Sequence, residues 1–261
     1  MRKILPLLAL LPLPAAAAGD LGWHVQVVTT SKYAPVEFQA QLLNVTKGNI
    51  KVKAEGDKPL IDLILEPEGK PPVRKPLPKE TSAFKGPPEL QPSQALWYVT
   101  GDLRLAFGRL APGRYTLRAA IGDRVSEPAP FEIVDTSAEE AKKNSVAPEG
   151  VDLRVKDGKA LLVNRRKTPI FLLAYGDREP LDALAMAQQW TGRAWTGPQG
   201  LFCGTGLSEV KIVPGEEREV TLPPLPDGIL RIGVSCYERK GDGTEAIEAV
   251  SEPFLVDTFK G

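Results

Sequence analysis

Val125-Ser126-Glu127-Pro128 runs through Phe131 to Val134-Asp135-Thr136, and the pattern returns as Val250-Ser251-Glu252-Pro253, Phe254 and Val256-Asp257-Thr258. Upstream, Leu110-Ala111-Pro112-Gly113-Arg114-Tyr115-Thr116-Leu117 parallels Leu225-Pro226-Asp227-Gly228-Ile229-Leu230-Arg231-Ile232. Two landmarks in the same order, each closing one half of the chain, mark an internal duplication. Tyr115, Leu117 and Ala119 alternate with polar residues, the period-two rhythm of a half-buried strand. The unit that is duplicated is therefore built of strands.

Outward from that stretch, short apolar runs recur between Gly- and Pro-rich turns. Trp23–Thr30, Val36–Val45, Ile50–Ala54, Leu60–Glu66, Leu96–Val99, Leu103–Phe107, Tyr115–Ile121 and Phe131–Val134 read as strands of the first half. Val151–Val155, Ala160–Asn164, Ile170–Tyr175, Val210–Val213, Val220–Leu222, Ile229–Tyr237 and Phe254–Val256 read as strands of the second. Only Leu181–Trp190 has the look of a helix, with Pro180 suited to its first turn. The expected fold class is all-β, two immunoglobulin-like β-sandwich domains in tandem, the second with one short helix. The expected boundaries are a signal peptide at 1–18, sandwich domains at 19–135 and 151–261, and a charged linker at 136–150 with no apolar rhythm.

Arg2 and Lys3, the apolar Ile4–Leu13 and the small residues Ala15–Ala18 form an export signal, with cleavage expected between Ala18 and Gly19. That apolar stretch is far short of the ~20 residues that span a bilayer, and Pro6, Pro12 and Pro14 interrupt it. The expected product is periplasmic or secreted, with no membrane span in the mature chain. An oxidising compartment favours joining Cys203 to Cys236, a closure worth roughly 3.5 kcal/mol in the chain-entropy picture. Thirty-three basic residues balance thirty-three acidic ones, which argues against a nucleic-acid partner. One histidine and two cysteines leave no four-ligand zinc set, so neither metal nor cofactor is expected.

Gly113-Arg114-Tyr115-Thr116-Leu117 resembles the turn-then-strand segment of bacterial immunoglobulin-like sandwiches. The resemblance implies a tyrosine hydroxyl bonded back to nearby backbone, a role that Leu230 in the second half cannot take. Tyr33-Ala34-Pro35-Val36-Glu37-Phe38, Leu42-Leu43-Asn44-Val45-Thr46, Asp62-Leu63 and Pro67-Glu68-Gly69, with Pro112–Tyr115, resemble the bacterial intracellular proteinase inhibitor domain. That resemblance implies a sandwich that inhibits a protease.

No stretch meets the minimum for catalysis. His24 lacks a nearby Ser and Asp to form a relay, and Gly204-Thr205-Gly206 lacks the lysine of a phosphate loop. Gly241-Asp242-Gly243-Thr244-Glu245 reads as a hairpin turn, and Asn44-Val45-Thr46 matches a glycosylation acceptor. Two regions suit partner contact. Trp190, Arg193, Trp195 and Phe202 lie in a glycine-rich segment, and such aromatic and guanidinium groups dominate interfaces and also suit a sugar face. The competing reading makes both tryptophans a plug of the sandwich end. Pro67–Pro92 holds eight prolines, so it is excluded from a sheet interior and reads as a long extended ribbon, either an inhibitory loop or a stiffened connection. The function expected is non-enzymatic: an envelope adaptor that binds an envelope or extracellular protein. Protease inhibition through 67–92 and binding of cell-wall glycan are the alternatives.

Overall fold

The computed structural model describes residues 21–44, 47–51, 54–55, 58–78, 80–83, 89–121, 124–196 and 206–260. The first half contains β1 (Leu21–Val27), β2 (Thr30–Ser31), β3 (Glu37–Asn44), β4 (Ile50–Lys51), β5 (Ala54–Glu55), β6 (Lys58–Pro59) and β7 (Asp62–Pro67). It continues with β8 (Val73–Pro76), β9 (Ser82–Ala83), β10 (Glu89–Leu90), β11 (Ala95–Asp102), α1 (Arg104–Phe107), β12 (Gly113–Ile121), β13 (Arg124–Val125) and β14 (Ala129–Val134). After α2 (Ala138–Lys143) come β15 (Val151–Lys156), β16 (Lys159–Asn164), β17 (Ile170–Ala174), β18 (Ala185–Gln189) and β19 (Ser208–Ile212). The chain closes with β20 (Glu217–Val220), β21 (Gly228–Lys240), β22 (Gly243–Val250) and β23 (Phe254–Val256).

In the first half a β1-β3-β11-β9 sheet faces a β2-β14-β12-β7-β8 sheet. Phe38, Ala40, Leu63, Leu65, Val99, Leu117, Phe131 and Ile133 fill the space between them. On β7 and β14 the buried residues fall on alternate positions, as one inward sheet face requires. Each fully buried aliphatic side chain here is worth about 1.5–3 kcal/mol. The second half repeats the plan with β15-β16-β20 opposite β18-β21-β17-β19 around its own core of Leu153, Leu162, Ile170, Leu172, Ile212, Ile232 and Val234. The protein is all-β and its halves are immunoglobulin-like sandwiches.

The duplicated words have duplicated jobs. Tyr115 pairs with Phe131 and Gly113 with Ile133; Leu230 pairs with Phe254 and Gly228 with Val256. Pro128 and Pro253 bring no amide to the ladder, and the serine ahead of each repairs the break. Ser126 Oγ accepts the Ala119 amide at 3.0 Å and donates to the Glu127 carbonyl at 2.8 Å. Ser251 Oγ accepts the Ile232 amide at 2.9 Å and donates to the Glu252 carbonyl at 3.0 Å.

Three sequence expectations change. Leu181–Trp190 is extended, not helical: Leu181 bridges Val220, Ala183 bridges Ala174, and β18 lies along β21. Its Ala, Leu, Met and Gln favour a helix, but the open flank of β21 gains a full ladder from it, and tertiary pairing wins over propensity. Leu103–Phe107 is not a strand: β11 ends at Asp102 and Leu103 leads into α1. Asp102 Oδ1 accepts the Arg104 amide at 3.0 Å and the Val36 amide at 3.1 Å, turning the chain into α1. The expected linker holds α2, capped by Ser137 Oγ accepting the Glu140 amide at 3.2 Å, with Glu139 and Glu140 in the first turn and Lys142 and Lys143 in the last. Its single buried residue, Ala141, is too sparse a signal for an apolar rhythm.

Candidate functional site

The aromatic segment belongs to the seam between the halves. Trp190 is 2% exposed and packs with Ala141 of α2 and Ile229 of β21, beside Tyr33, Ala138 and Trp195. Its indole Nε1 donates to Thr136 Oγ1 at 2.9 Å, so the one polar atom of a buried ring is satisfied. Trp195 lies 5.4 Å from Trp190, centroid to centroid, and donates to the Asn144 carbonyl at 3.0 Å. The Arg231 guanidinium stacks 4.4 Å from the Trp195 ring and donates to Ser145 Oγ at 3.1 Å. Arg193 pairs with Glu132 on β14. Gly192 has φ +92°, and a Cβ there would run into the Val134 side chain. The structure thus brings Trp190, Arg193 and Trp195 together, as wedge and rim of the seam. Phe202 lies outside the described residues.

Sequence reading missed the other end of the seam. Arg104 of α1 reaches Asp102 at 2.8 Å and Asp227 at 3.1 Å, with Arg104 and Asp227 side chains only 5% and 7% exposed. Asp227 Oδ1 accepts the Thr258 amide at 2.8 Å and its hydroxyl at 2.6 Å. Phe259 covers the Arg104 guanidinium at 4.6 Å, and Arg109 holds Asp257 at 2.6 Å. Burial pulls the Asp227 carboxyl upward, but the Thr258 bonds and the Arg104 charge outweigh it and hold the group below the ordinary aspartate range. The C-terminal residues of one half therefore clasp the other. No local pattern announces this, because its members are 123 and 31 positions apart in sequence.

A second repeated device also escaped the sequence reading. Asn44 Nδ2 donates to the Gly48 carbonyl at 2.8 Å and the Leu90 carbonyl at 2.9 Å. Asn164 Nδ2 donates to the Thr168 carbonyl at 2.9 Å and the Ile212 carbonyl at 3.0 Å. Each asparagine faces a turn, Gln91-Pro92-Ser93-Gln94 or Val213-Pro214-Gly215-Glu216, whose third residue has positive φ. In each turn the fourth side chain accepts the amide of the first, at 2.9 and 2.8 Å. The matching signal was Leu-x-Pro-Ser-Gln against Ile-x-Pro-Gly-Glu. Asn44 is fully buried with its amide nitrogen engaged, so the glycosylation match is overturned by packing.

The proline-rich ribbon is not one free loop. Val73–Pro76 form β8, an outer strand paired to β7 from Leu65↔Val73 to Asp62↔Pro76, which agrees with exclusion from a sheet interior. Pro67, Lys70 and Pro72 form one wall of an open cleft of about 740 Å³ whose floor carries Arg114, Thr116 and Glu132. Glu66 beside it is tied to Arg118 at 3.0 Å. Tyr115 bears out the implied corner: its hydroxyl donates to the Ala111 carbonyl at 2.6 Å, and its ring stacks on Phe131 at 5.4 Å.

Among the described residues Cys236 has no cysteine partner; it is buried in the second core, and burial pushes its pKa as a thiol up to about 12. Its expected partner Cys203 lies outside the described residues, as do Ala18 and Gly19. His24 falls on β1, and Gly241-Asp242 makes the expected tight turn between β21 and β22. No helix among the described residues is long and apolar enough to cross a membrane.

No family model matches the chain and no curated relative matches it, so the proteinase-inhibitor resemblance gains no support. Among solved structures it is similar to the E. coli chaperone DraB, at 15% identity over 88% of this chain and 96% of that one, with a TM-score of 0.24. It is similar to the Pseudomonas aeruginosa CupB2 chaperone at 9% identity, 86% and 96% coverage and a TM-score of 0.22. A marsupial T cell receptor aligns at 13% identity, 88% and 100% coverage and a TM-score of 0.24. Overlap of that extent adds nothing to the reading of function.

Proposed function

We propose that the protein is a non-enzymatic, exported binding or adaptor protein of the cell envelope, contacting a protein partner through a frame of two fixed sandwiches. The observation that supports this is the seam. An indole wedge at one end and a buried Asp102–Arg104–Asp227 cluster at the other hold the halves in one geometry. A frame already ordered loses little further freedom when it meets a partner, which is where affinity is usually spent. The outward sheet surfaces and strand edges then remain for contact. Export to an oxidising compartment, which accepts the two electrons, would also favour a Cys203–Cys236 bond, to be read as a mass lower by two hydrogen atoms without reductant.

Affinity capture by the tagged chain from an envelope fraction tests the reading. A saturable partner retained by the native protein and released by competing untagged protein is the expected result. A fraction that yields no saturable partner overturns it, and a mature N-terminus other than Gly19 overturns the cleavage assignment.

A further inference from the structure

The hairpin β21–β22 ends in an outer strand that the fold leaves open. β22 pairs with β21 alone, from Gly233↔Val250 to Lys240↔Gly243. The closing pair Lys240↔Gly243 flanks a two-residue turn, so alternate residues Gly243, Glu245, Ile247 and Ala249 exchange backbone bonds with β21. The Ser251 amide bonded to the Ile232 carbonyl continues that same alternation. The backbone groups of Thr244, Ala246 and Glu248 consequently point away from the sheet, and no described residue bonds them. At the far end β15 comes alongside, through the Leu153↔Ser251 bridge.

Two other outer strands, β8 and β15, carry residues that discourage further pairing. β8 begins after Pro71-Pro72, ends at Pro76 and contains Arg74 and Lys75, while β15 alternates Asp152, Arg154 and Lys156. β22, Gly-Thr-Glu-Ala-Ile-Glu-Ala-Val, has neither proline nor a basic residue. Beside it, Thr244 and Ala246 join Tyr237, Arg239 and Glu209 around a depression of about 400 Å³. Arg239 holds both Glu209 oxygens, at 2.6 and 2.9 Å, and the Tyr237 hydroxyl donates to the same carboxylate. An added strand would turn every second side chain toward that depression, the usual source of selectivity when backbone bonds supply the affinity.

Charge chooses the occupant. Glu245, Glu248 and Glu252 run along this edge, with Lys240 and Lys142 as their basic neighbours. A second copy laid antiparallel would bring two sets of these carboxylates together, at a cost. We propose that β22 is the docking edge for an extended segment of another protein that alternates apolar residues with lysine or arginine, added to the sheet as a further strand. This deepens the binding reading above and rests on it.

The test uses the full chain and a capped ten-residue peptide of alternating Lys and Val, against a Glu–Val peptide of the same length. Hydrogen exchange should show slowed amides at Thr244, Ala246 and Glu248 with the first peptide and none with the second. Ala246→Pro deletes an outward amide and no bond to β21, and should weaken binding tenfold or more. Thr244→Lys, which guards the edge without touching the backbone, should weaken it at least fivefold while near-UV circular dichroism stays native. Equal binding of both peptides, protection elsewhere than β22, or native affinity in both variants overturns the proposal. A concentration-dependent dimer abolished by both variants overturns it in favour of self-pairing. If envelope capture survives in Ala246→Pro, the adaptor reading stands and the edge assignment alone falls.

Discussion

Arg114 and Ile229 occupy the same place in the two repeats, each following the glycine that opens the long central strand. Arg114 lies exposed on the outer face of its sheet, whereas Ile229 is 1% exposed. The ladders around them match, since Tyr115↔Phe131 and Leu230↔Phe254 hold the same register. What differs is the layer outside. Beyond β21 lie α2 and the Trp190 wedge, which make the outer face of the second sheet a second interior. The repeat thus kept its internal wiring, the Asn44 and Asn164 corners and the Ser126 and Ser251 repairs, and diverged where one copy had to touch the other.

Exchanging the equivalent residues breaks this comparison most sharply. Ile229→Arg would bury an unpaired guanidinium and should cost about 4 kcal/mol in denaturant unfolding. Arg114→Ile on the open face should stay within about 0.5 kcal/mol. Trp190→Ala should remove about 3–4 kcal/mol by leaving a cavity, with altered small-angle scattering if the seam is what sets the shape. If both asparagine corners do equal work, Asn44→Ala and Asn164→Ala should each lose about 2 kcal/mol, because one buried and one part-buried carbonyl lose their donor in either case. A loss confined to one variant would show that the corners only look alike.

Acid separates the seam from the cores. Asp227 has a depressed pKa in the folded protein, so its stabilisation is complete at neutral pH, above the ordinary aspartate value of 3.8. It is lost as pH falls below that value through the folded pKa, and Asp227→Asn should flatten this part of the profile in pH-resolved melting. A smaller loss than at the asparagine corners is expected for Tyr115→Phe, about 1 kcal/mol, the worth of one hydroxyl bond. The second half has no counterpart, since Leu230 has no hydroxyl to make such a bond and is fully buried.

Much of this was legible before any coordinates. The Ser-Glu-Pro breaks and the glycine-led strands announced a duplicated β unit, and Gly241-Asp242 announced its hairpin. The Asn corners were equally present, as Leu-x-Pro-Ser-Gln and Ile-x-Pro-Gly-Glu, but their meaning depends on an asparagine 46 or 48 positions away. Leu181–Trp190 misled because its residues favour a helix while the flank of β21 offered a ladder.

By itself the sequence determined the architecture of each half, because a period of two states which side chains share a face and prolines state where a ladder stops. Only the tertiary structure decided what covers each face. Trp190 and Trp195 read either as a partner surface or as a plug of the sandwich end, and α2 and Ile229 packed against Trp190 decide what covers it, while Asp227 and Phe259 close over Arg104 from far along the chain. Periodicity fixes direction within a sheet, whereas burial depends on a second layer brought there by distant parts of the chain.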